Sequence, residues 1–136
     1  MPMRVDIVTI EREVFSADDV DLLNAPGADG VLGILPRHAP VVSSLKEGEL
    51  EIVRGEEREL MAIGGGFLQV RDSHIIVMAD AAERASEIDE SRAEAARERA
   101  AQAVQGAGDD IDRERAMASL RRAEVRLSVA KRRRRG

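Results

Sequence analysis

The hexapeptide Ile88-Asp89-Glu90-Ser91-Arg92-Ala93 combines an acceptor carboxylate, a guanidinium three residues on, and apolar side chains at both ends. Arg99 lies seven residues beyond Arg92, and Arg122 and Arg126 stand four apart further along, so each pair shares one face of a helix. If two such helices fold back on each other, four cations converge beside apolar Ile88 and the Asp89 acceptor. That is the composition a nucleoside triphosphate needs, with guanidinium forks for the phosphates and a small pocket for the base. A plainer reading stands beside it. Asp89 with Arg92, and Glu94 and Glu98 with neighbouring arginines, can make exposed i,i+3 and i,i+4 pairs worth only ~0.3–0.5 kcal/mol each.

The elements that would position these residues can be read outward from the same stretch. Ser86 is a candidate N-cap with Asp89 three residues on, a capping-box-like pair that predicts a helix over residues 87 to about 105. Gly106-Ala107-Gly108 breaks it, and Asp109 or Asp110 caps a second helix running to about Lys131. In the second helix Ala116, Leu120, Ala123, Leu127 and Ala130 recur at steps of four and three, and Ala93, Ala96, Ala100 and Ala103 do the same in the first. The pattern predicts an antiparallel hairpin with each helix roughly 28 Å long at 1.5 Å per residue. Burying a leucine contributes roughly 1.5–3 kcal/mol and an alanine far less, so the hairpin is expected to be marginally docked and able to open.

Before residue 86 the pattern changes. Met3 to Ile10 alternates Arg4 and Asp6 against Val5 and Ile7, the period of a half-buried strand. Short apolar runs follow at 20–22, 31–35, 41–45, 50–53, 60–63, 67–70 and 75–78, separated by Gly, Pro, Asp or Asn. They predict an all-β sandwich or flattened barrel, with hairpin turns at Gly48, Gly55 and Asp72-Ser73. Gly64-Gly65-Gly66 is not a phosphate loop, since no Gly-Lys-Ser/Thr follows and Phe67 to Val70 reads as a strand; a tight turn or bulge at a sandwich corner is expected there. In Leu35-Pro36-Arg37-His38-Ala39-Pro40 two prolines stiffen an exposed turn, which reads either as a rigid turn with a satisfied histidine or as a contact site. The domains implied are 1–85, a β-sandwich, and 86–136, the hairpin with its basic tail.

Composition excludes several functions. The 136 residues suit one ordinary domain and a short appendage. No apolar run approaches the ~20 residues needed to span a bilayer, and no leader is legible, so a soluble, cytosolic, unprocessed protein is expected. Cysteine is absent, which removes disulfides and thiolate metal sites, and two histidines without H-E-x-x-H spacing make no metal site. No nucleophile with a base, metal set or converging carboxylate pair is legible, so an enzyme is not expected. Residues 1–85 hold 16 acidic and 8 basic residues, whereas 86–136 hold 10 acidic and 13 basic, ending in Lys131-Arg132-Arg133-Arg134-Arg135. That tail seeks an anion, and the alternative reading is a small basic-tailed module for nucleic acid or an acidic protein. Nucleic acid is disfavoured, because the chain has no Trp or Tyr and only Phe15 and Phe67 to stack on bases.

Asp29-Gly30-Val31-Leu32-Gly33-Ile34-Leu35-Pro36-Arg37-His38-Ala39-Pro40, the run Gly64 to Val70, and Ala79-Asp80-Ala81-Ala82-Glu83 together resemble the epsilon subunit of bacterial F-type ATP synthase. The resemblance spans nearly the whole chain. It implies a ten-stranded flattened barrel followed by an α-helical hairpin, in a non-catalytic subunit of the central stalk (the rotor). Such a subunit joins gamma to the membrane ring of c subunits, and restrains ATP hydrolysis when its C-terminal helices extend toward alpha and beta. It also implies a peripheral position at the cytoplasmic face of the cell membrane, with Val31 and the turn carrying Pro36, Arg37 and His38 against the c-ring. Arg37 stands where the family often has glycine, and Val31 where some members carry an acidic side chain. The stretch Ile88 to Ala93 matches the family's I/L-D-x-x-R-A motif. The resemblance therefore implies ATP as a regulatory ligand, with Ile88, Asp89, Arg92, Ala93, Arg99, Arg122, Arg126 and Glu83 at its site and no catalytic cofactor. High ATP is then expected to hold the hairpin folded on the barrel, and low ATP to release it.

Overall fold

Alternation decides the first strand. In β1 (Met3–Val8) the buried Met3, Val5 and Ile7 face inward, and Arg4, Asp6 and Val8 face outward. The computed structural model describes residues 2–134, with side chains through Arg133, and the chain divides into a unit ending at Arg84 and another beginning at Ala85. In the first unit β1 is followed by β2 (Glu13–Val20), β3 (Leu22–Gly27), β4 (Gly30–Ile34), β5 (Val41–Arg54), β6 (Glu57–Arg71), β7 (His74–Ala79) and β8 (Ala82–Arg84). The strand order is β2-β1-β7-β6-β5-β3-β4, with β8 also on β6. All pairs are antiparallel except β1 with β7.

Strands β5 and β6 belong to both layers of the sandwich. The first part of β5 lies beside the last part of β6, which continues the sheet through β7 and β1 to β2. Further along, β5 pairs with β3, and β6 with β8. Between the layers Val5, Ile7, Leu23, Ile34, Leu50, Ile52, Met61, Ile63, Leu68, Ile75 and Val77 are at most 2% exposed. No polar or charged side chain among the described residues is buried with them.

Among the described residues eight strands are present where ten were implied. The runs expected as separate strands at 41–45 and 50–53 are one strand, β5, and those at 60–63 and 67–70 are one strand, β6. Gly48 is not a turn, since it pairs with Ile63 inside the ladder, whereas Gly55 and Asp72-Ser73 do form the hairpin turns. At Gly64-Gly65-Gly66 neither a turn nor a bulge interrupts the β5–β6 register. The glycines mark a change of partner instead, from β7 beyond Gly66 to β8 before Gly64. Gly65 and Gly66 have φ of 103° and 129°, and a Cβ on Gly66 would lie 2.2 Å from the Met78 carbonyl oxygen, so this crossing admits only glycine. Strand β2 was not anticipated, and the first strand stops at Val8, before Ile10.

The second unit opens with a 3-10 turn over Ala85–Glu87, and α1 spans Glu90–Gln105. Its N-cap is Asp89 and not Ser86: the Asp89 carboxylate accepts the Arg92 N–H at 3.0 Å, while Ser86 is taken up in the preceding turn. The helix ends where the Gly106 N–H bonds to the Gln102 carbonyl. Asp109 caps α2 (Asp110–Arg134), accepting the Asp112 N–H at 2.8 Å. Helix α2 continues past the expected Lys131 because arginine favours helix and its charge suits the negative end of the helix dipole. Ala93 and Ala100 on α1, and Ala116, Ala123, Leu127 and Ala130 on α2, are buried, and the two helices pack against each other. Arg135 and the Arg134 side chain, part of the basic tail, lie outside the described residues.

Candidate functional site

The helical period brings three of the expected arginines together. Arg99 of α1 and Arg122 and Arg126 of α2 line one groove of about 610 Å³ between the helices, floored by Ala96, Ala100, Ala103, Ala116 and Ala123. Arg115 joins them, and Asp112 is the carboxylate in the lining. Arg115 was missed by the sequence reading, although it stands seven residues before Arg122 and eleven before Arg126, on the same face. The small alanines keep the groove open, and four guanidinium groups against one carboxylate give its lining a net positive charge. One of these arginines is already oriented, since an Arg122 Nη2–H donates to Ser119 Oγ at 3.1 Å.

The remaining residues of the motif stand differently. Arg92 does not line the groove; its side chain is 85% exposed and lies 3.8 Å from the Asp89 carboxylate, the ordinary i,i+3 pair of the plainer reading. Glu94 and Arg97 make another such pair. Ile88 is half-buried, with its N–H on the Ala85 carbonyl at 3.3 Å, and Ala93 is fully buried and offers packing in place of contact surface. Glu83 sits in the first unit, on β8, opposite Ala62.

On the sandwich, Val31 is 77% exposed on β4, which among the described residues pairs only with β3. Pro36, Arg37 and His38 occupy the turn after β4, half-buried at the proline and exposed at the other two. Arg37 has φ of 70°, the left-handed region that glycine enters without strain, which supplies a physical reason for a glycine preference at this position. Sequence reasoning also missed an apolar stripe on the outer face of the sheet. Phe67 of β6 lies beside Met78 of β7, and Met78 beside Val8 of β1, with Val42 of β5 one step away. Val42, Phe67 and Met78 remain 69%, 54% and 45% exposed. Its signal was present in the alternation of β5, β6 and β7, where Val42, Phe67, Ile76 and Met78 are apolar at outward positions otherwise held by Ser44, Lys46, Gln69, Arg71 and His74.

Beside the stripe, polar groups tie three strands. Asp6 of β1 accepts hydrogen bonds from Ser16 Oγ of β2 at 2.6 Å, from His74 Nε2 of β7 at 2.7 Å and from Arg4 Nε at 3.0 Å. Partial burial alone would raise the Asp6 pKa; the donors from Ser16, His74 and Arg4 outweigh it and hold the carboxyl at about 2. Elsewhere on the sandwich the Arg54 guanidinium grips Asp19 at 2.8 Å, lowering that carboxyl, and both Arg54 and Arg84 lie about 6 Å from the Phe15 ring centre. Among the described residues no three His, Asp or Glu side chains are grouped to hold a metal ion, and no helix is long and apolar enough to cross a membrane.

These features define a two-part protein, a β-sandwich with an exposed apolar face followed by a helical hairpin with a cationic groove. Residues 2–85 match the family described as ATP synthase, Delta/Epsilon chain, beta-sandwich domain, and residues 86–131 match its long alpha-helix domain. The chain is 49% identical over 127 residues to the ATP synthase epsilon chain of Desulforamulus reducens, covering 93% of this chain and 96% of that one. To the epsilon chain of Herpetosiphon aurantiacus it is 48% identical over 134 residues, covering 98% of each. The chain belongs to the ATP synthase delta/epsilon family. Its fold recurs in a chain of the Euglena gracilis mitochondrial ATP synthase, with a TM-score of 0.83 at 23% identity over 96% of this chain and 81% of that one. It also recurs in the central stalk and c-ring structure from Tetrahymena thermophila, with a TM-score of 0.65 at 16% identity over 96% and 97%.

Proposed function

We propose that this chain is the non-catalytic central-stalk subunit of an F-type ATP synthase, joining gamma to the c-ring at the cytoplasmic face of the membrane. The observation that supports the assembly role is the exposed trio of Val42, Phe67 and Met78, because large apolar side chains left in solvent on neighbouring strands of a small sandwich suit a docking surface. Gamma takes the stripe, and the c-ring takes the end bearing Val31, Pro36, Arg37 and His38. Affinity purification of the tagged chain from gently solubilised membranes tests this: gamma and c subunits should accompany it, and Phe67→Asp should release gamma. Recovery of the chain without either partner would overturn the reading.

The hairpin is the regulatory part, with ATP as its ligand. The supporting observation is the groove in which Arg99, Arg115, Arg122 and Arg126 converge over an alanine floor. A ligand that binds only the folded hairpin stabilises it by RT ln(1 + [L]/Kd), about 2.7 kcal/mol at a hundredfold excess over Kd, enough to decide a seam built mostly of alanine. With ATP scarce the hairpin opens, and the arginines of α2 meet carboxylates on the alpha and beta subunits, restraining hydrolysis. Bound ATP is retained unhydrolysed: Asp112 is the lone carboxylate of the lining, and among the described residues no His, Asp or Glu group is arranged to hold a metal ion. Calorimetry on the isolated chain is the test. Charge-assisted bonds are worth about 1.5–3 kcal/mol, so Arg122→Ala or Arg126→Ala should weaken ATP binding at least tenfold. Absent binding, or binding unchanged in both variants, would remove the regulatory reading.

A further inference from the structure

Among the described residues the non-glycine positions with positive φ are Arg37 at 70°, Asp72 at 52° and Ser73 at 59°. L side chains enter this region only against steric resistance, and such strain persists where surrounding structure over-determines it. Here Arg37 and Ser73 meet. The Arg37 backbone N–H donates to Ser73 Oγ at 3.2 Å, joining the turn after β4 to the β6–β7 hairpin, thirty-six residues apart in sequence. The Ser73 carbonyl accepts the Arg4 N–H at 3.0 Å, so the same residue also grips the start of β1.

The turn so held is closed on itself. The His38 N–H bonds to the Leu35 carbonyl at 3.2 Å, and His38 Nδ1 lies 2.7 Å from the Ala39 carbonyl. A carbonyl only accepts, so Nδ1 carries the proton and Nε2 of the neutral ring is left as an outward acceptor. The Arg37 guanidinium makes no hydrogen bond or ion pair among the described residues, and Leu35 beside it is 59% exposed. A donor fork, an acceptor nitrogen and an apolar side chain are thus presented together from a rigid base. Held in a left-handed conformation, Arg37 leaves the turn in a direction that a relaxed backbone would not give it.

We propose that Ser73 is the positioning residue of this turn: its hydroxyl fixes the left-handed Arg37 backbone and so sets how Arg37 and His38 meet the ring, with Arg37 addressing oxygen acceptors on a ring loop. The proposal rests on the ring-docking reading of the turn. A residue serving only the hairpin would behave differently on substitution. Glycine adopts positive φ freely, so Ser73→Gly relieves local strain while deleting the acceptor, and the hairpin itself should be as stable or more so.

The experiment uses the assembled, solubilised ATP synthase and measures two quantities for each variant. One is the rate at which the chain leaves the c-ring after a salt jump, and the other is the melting temperature of the isolated chain. Ser73→Gly should leave melting unchanged or raised, and speed departure from the ring about fivefold, the worth of one neutral hydrogen bond. Ser73→Asn, which tolerates the left-handed region and offers Oδ1 as acceptor, should restore the slow rate. Adding Ser73→Gly to Arg37→Ala with His38→Ala should speed departure no further than those two changes alone. Unchanged departure of Ser73→Gly, or a further gain in rate when all three changes are combined, would overturn the positioning role while leaving ring docking intact. If Arg37→Ala together with His38→Ala departs at the wild-type rate, the ring-docking reading falls and the proposal with it.

Discussion

Asp6 gives the clearest pH dependence of any single residue. Its carboxylate is held at about 2 by Ser16, His74 and Arg4, below the ~3.9 of an unfolded aspartate. A depressed folded pKa contributes stability that is complete above the unfolded value and is lost as pH falls through the folded one. Asp6→Asn should therefore destabilise the sandwich at pH 7, and the difference should close between about pH 4 and pH 2. Urea denaturation of both proteins across that range measures it; a gap undiminished at pH 2 would assign the loss to packing. Arg115 makes the matching case for the hairpin. As a member of the groove lining, Arg115→Ala should lower ATP affinity by about tenfold in calorimetry, whereas Arg97→Ala, paired with Glu94 and outside that lining, should leave it unchanged.

At the scale of elements, the crossing at Gly64-Gly65-Gly66 sets the limits on substitution. Gly66→Ala would drive a Cβ to 2.2 Å from the Met78 carbonyl oxygen at a positive φ, whereas a Cβ on Gly64 meets the Ala81 side chain at 3.0 Å. The first change should cost several kcal/mol or prevent folding, and the second no more than about 1–2 kcal/mol. Thermal melts of the two variants would rank them, and equal losses would contradict the steric account. The same glycines explain why the strands were hard to read. Gly48 and the glycine triplet punctuate β5 and β6 as turns do, yet cross-strand pairing carries the backbone through both, which local sequence cannot reveal. Strand β2 escaped because Ser16, Asp18 and Asp19 make it look polar; Ser16 and Asp19 are satisfied by Asp6 and Arg54, partners legible only after folding. The hairpin was legible because its information is local: Asp109 caps α2, the glycines break the chain, and the alanine seam keeps helical period. Ser86 and Asp89 are both good capping residues, and only the 3-10 turn that takes up Ser86 decided for Asp89.

For the whole molecule, the division at Arg84 and Ala85 separates the proposed docking surfaces from the proposed switch. Deleting everything after Ala85 should leave a sandwich that still assembles into the ATP synthase and supports ATP synthesis in membrane vesicles, while hydrolysis loses its sensitivity to scarce ATP. Failure to assemble would show that the helices are needed for attachment.

The continuity of β5 and β6 has a mechanical consequence. Fourteen and fifteen residues long, they run unbroken through both layers, each roughly 45 Å at about 3.3 Å per residue. A load applied at one end of such a ribbon travels to the other along covalent backbone, and the two strands slide past each other only if the register from Val41–Val70 to Arg54–Glu57 gives way together. In the proposed position between a turning shaft and a turning ring, that would make the β5–β6 hairpin a strut resistant to shear, with the softest point of the sandwich at β4, the edge strand held, among the described residues, by β3 alone.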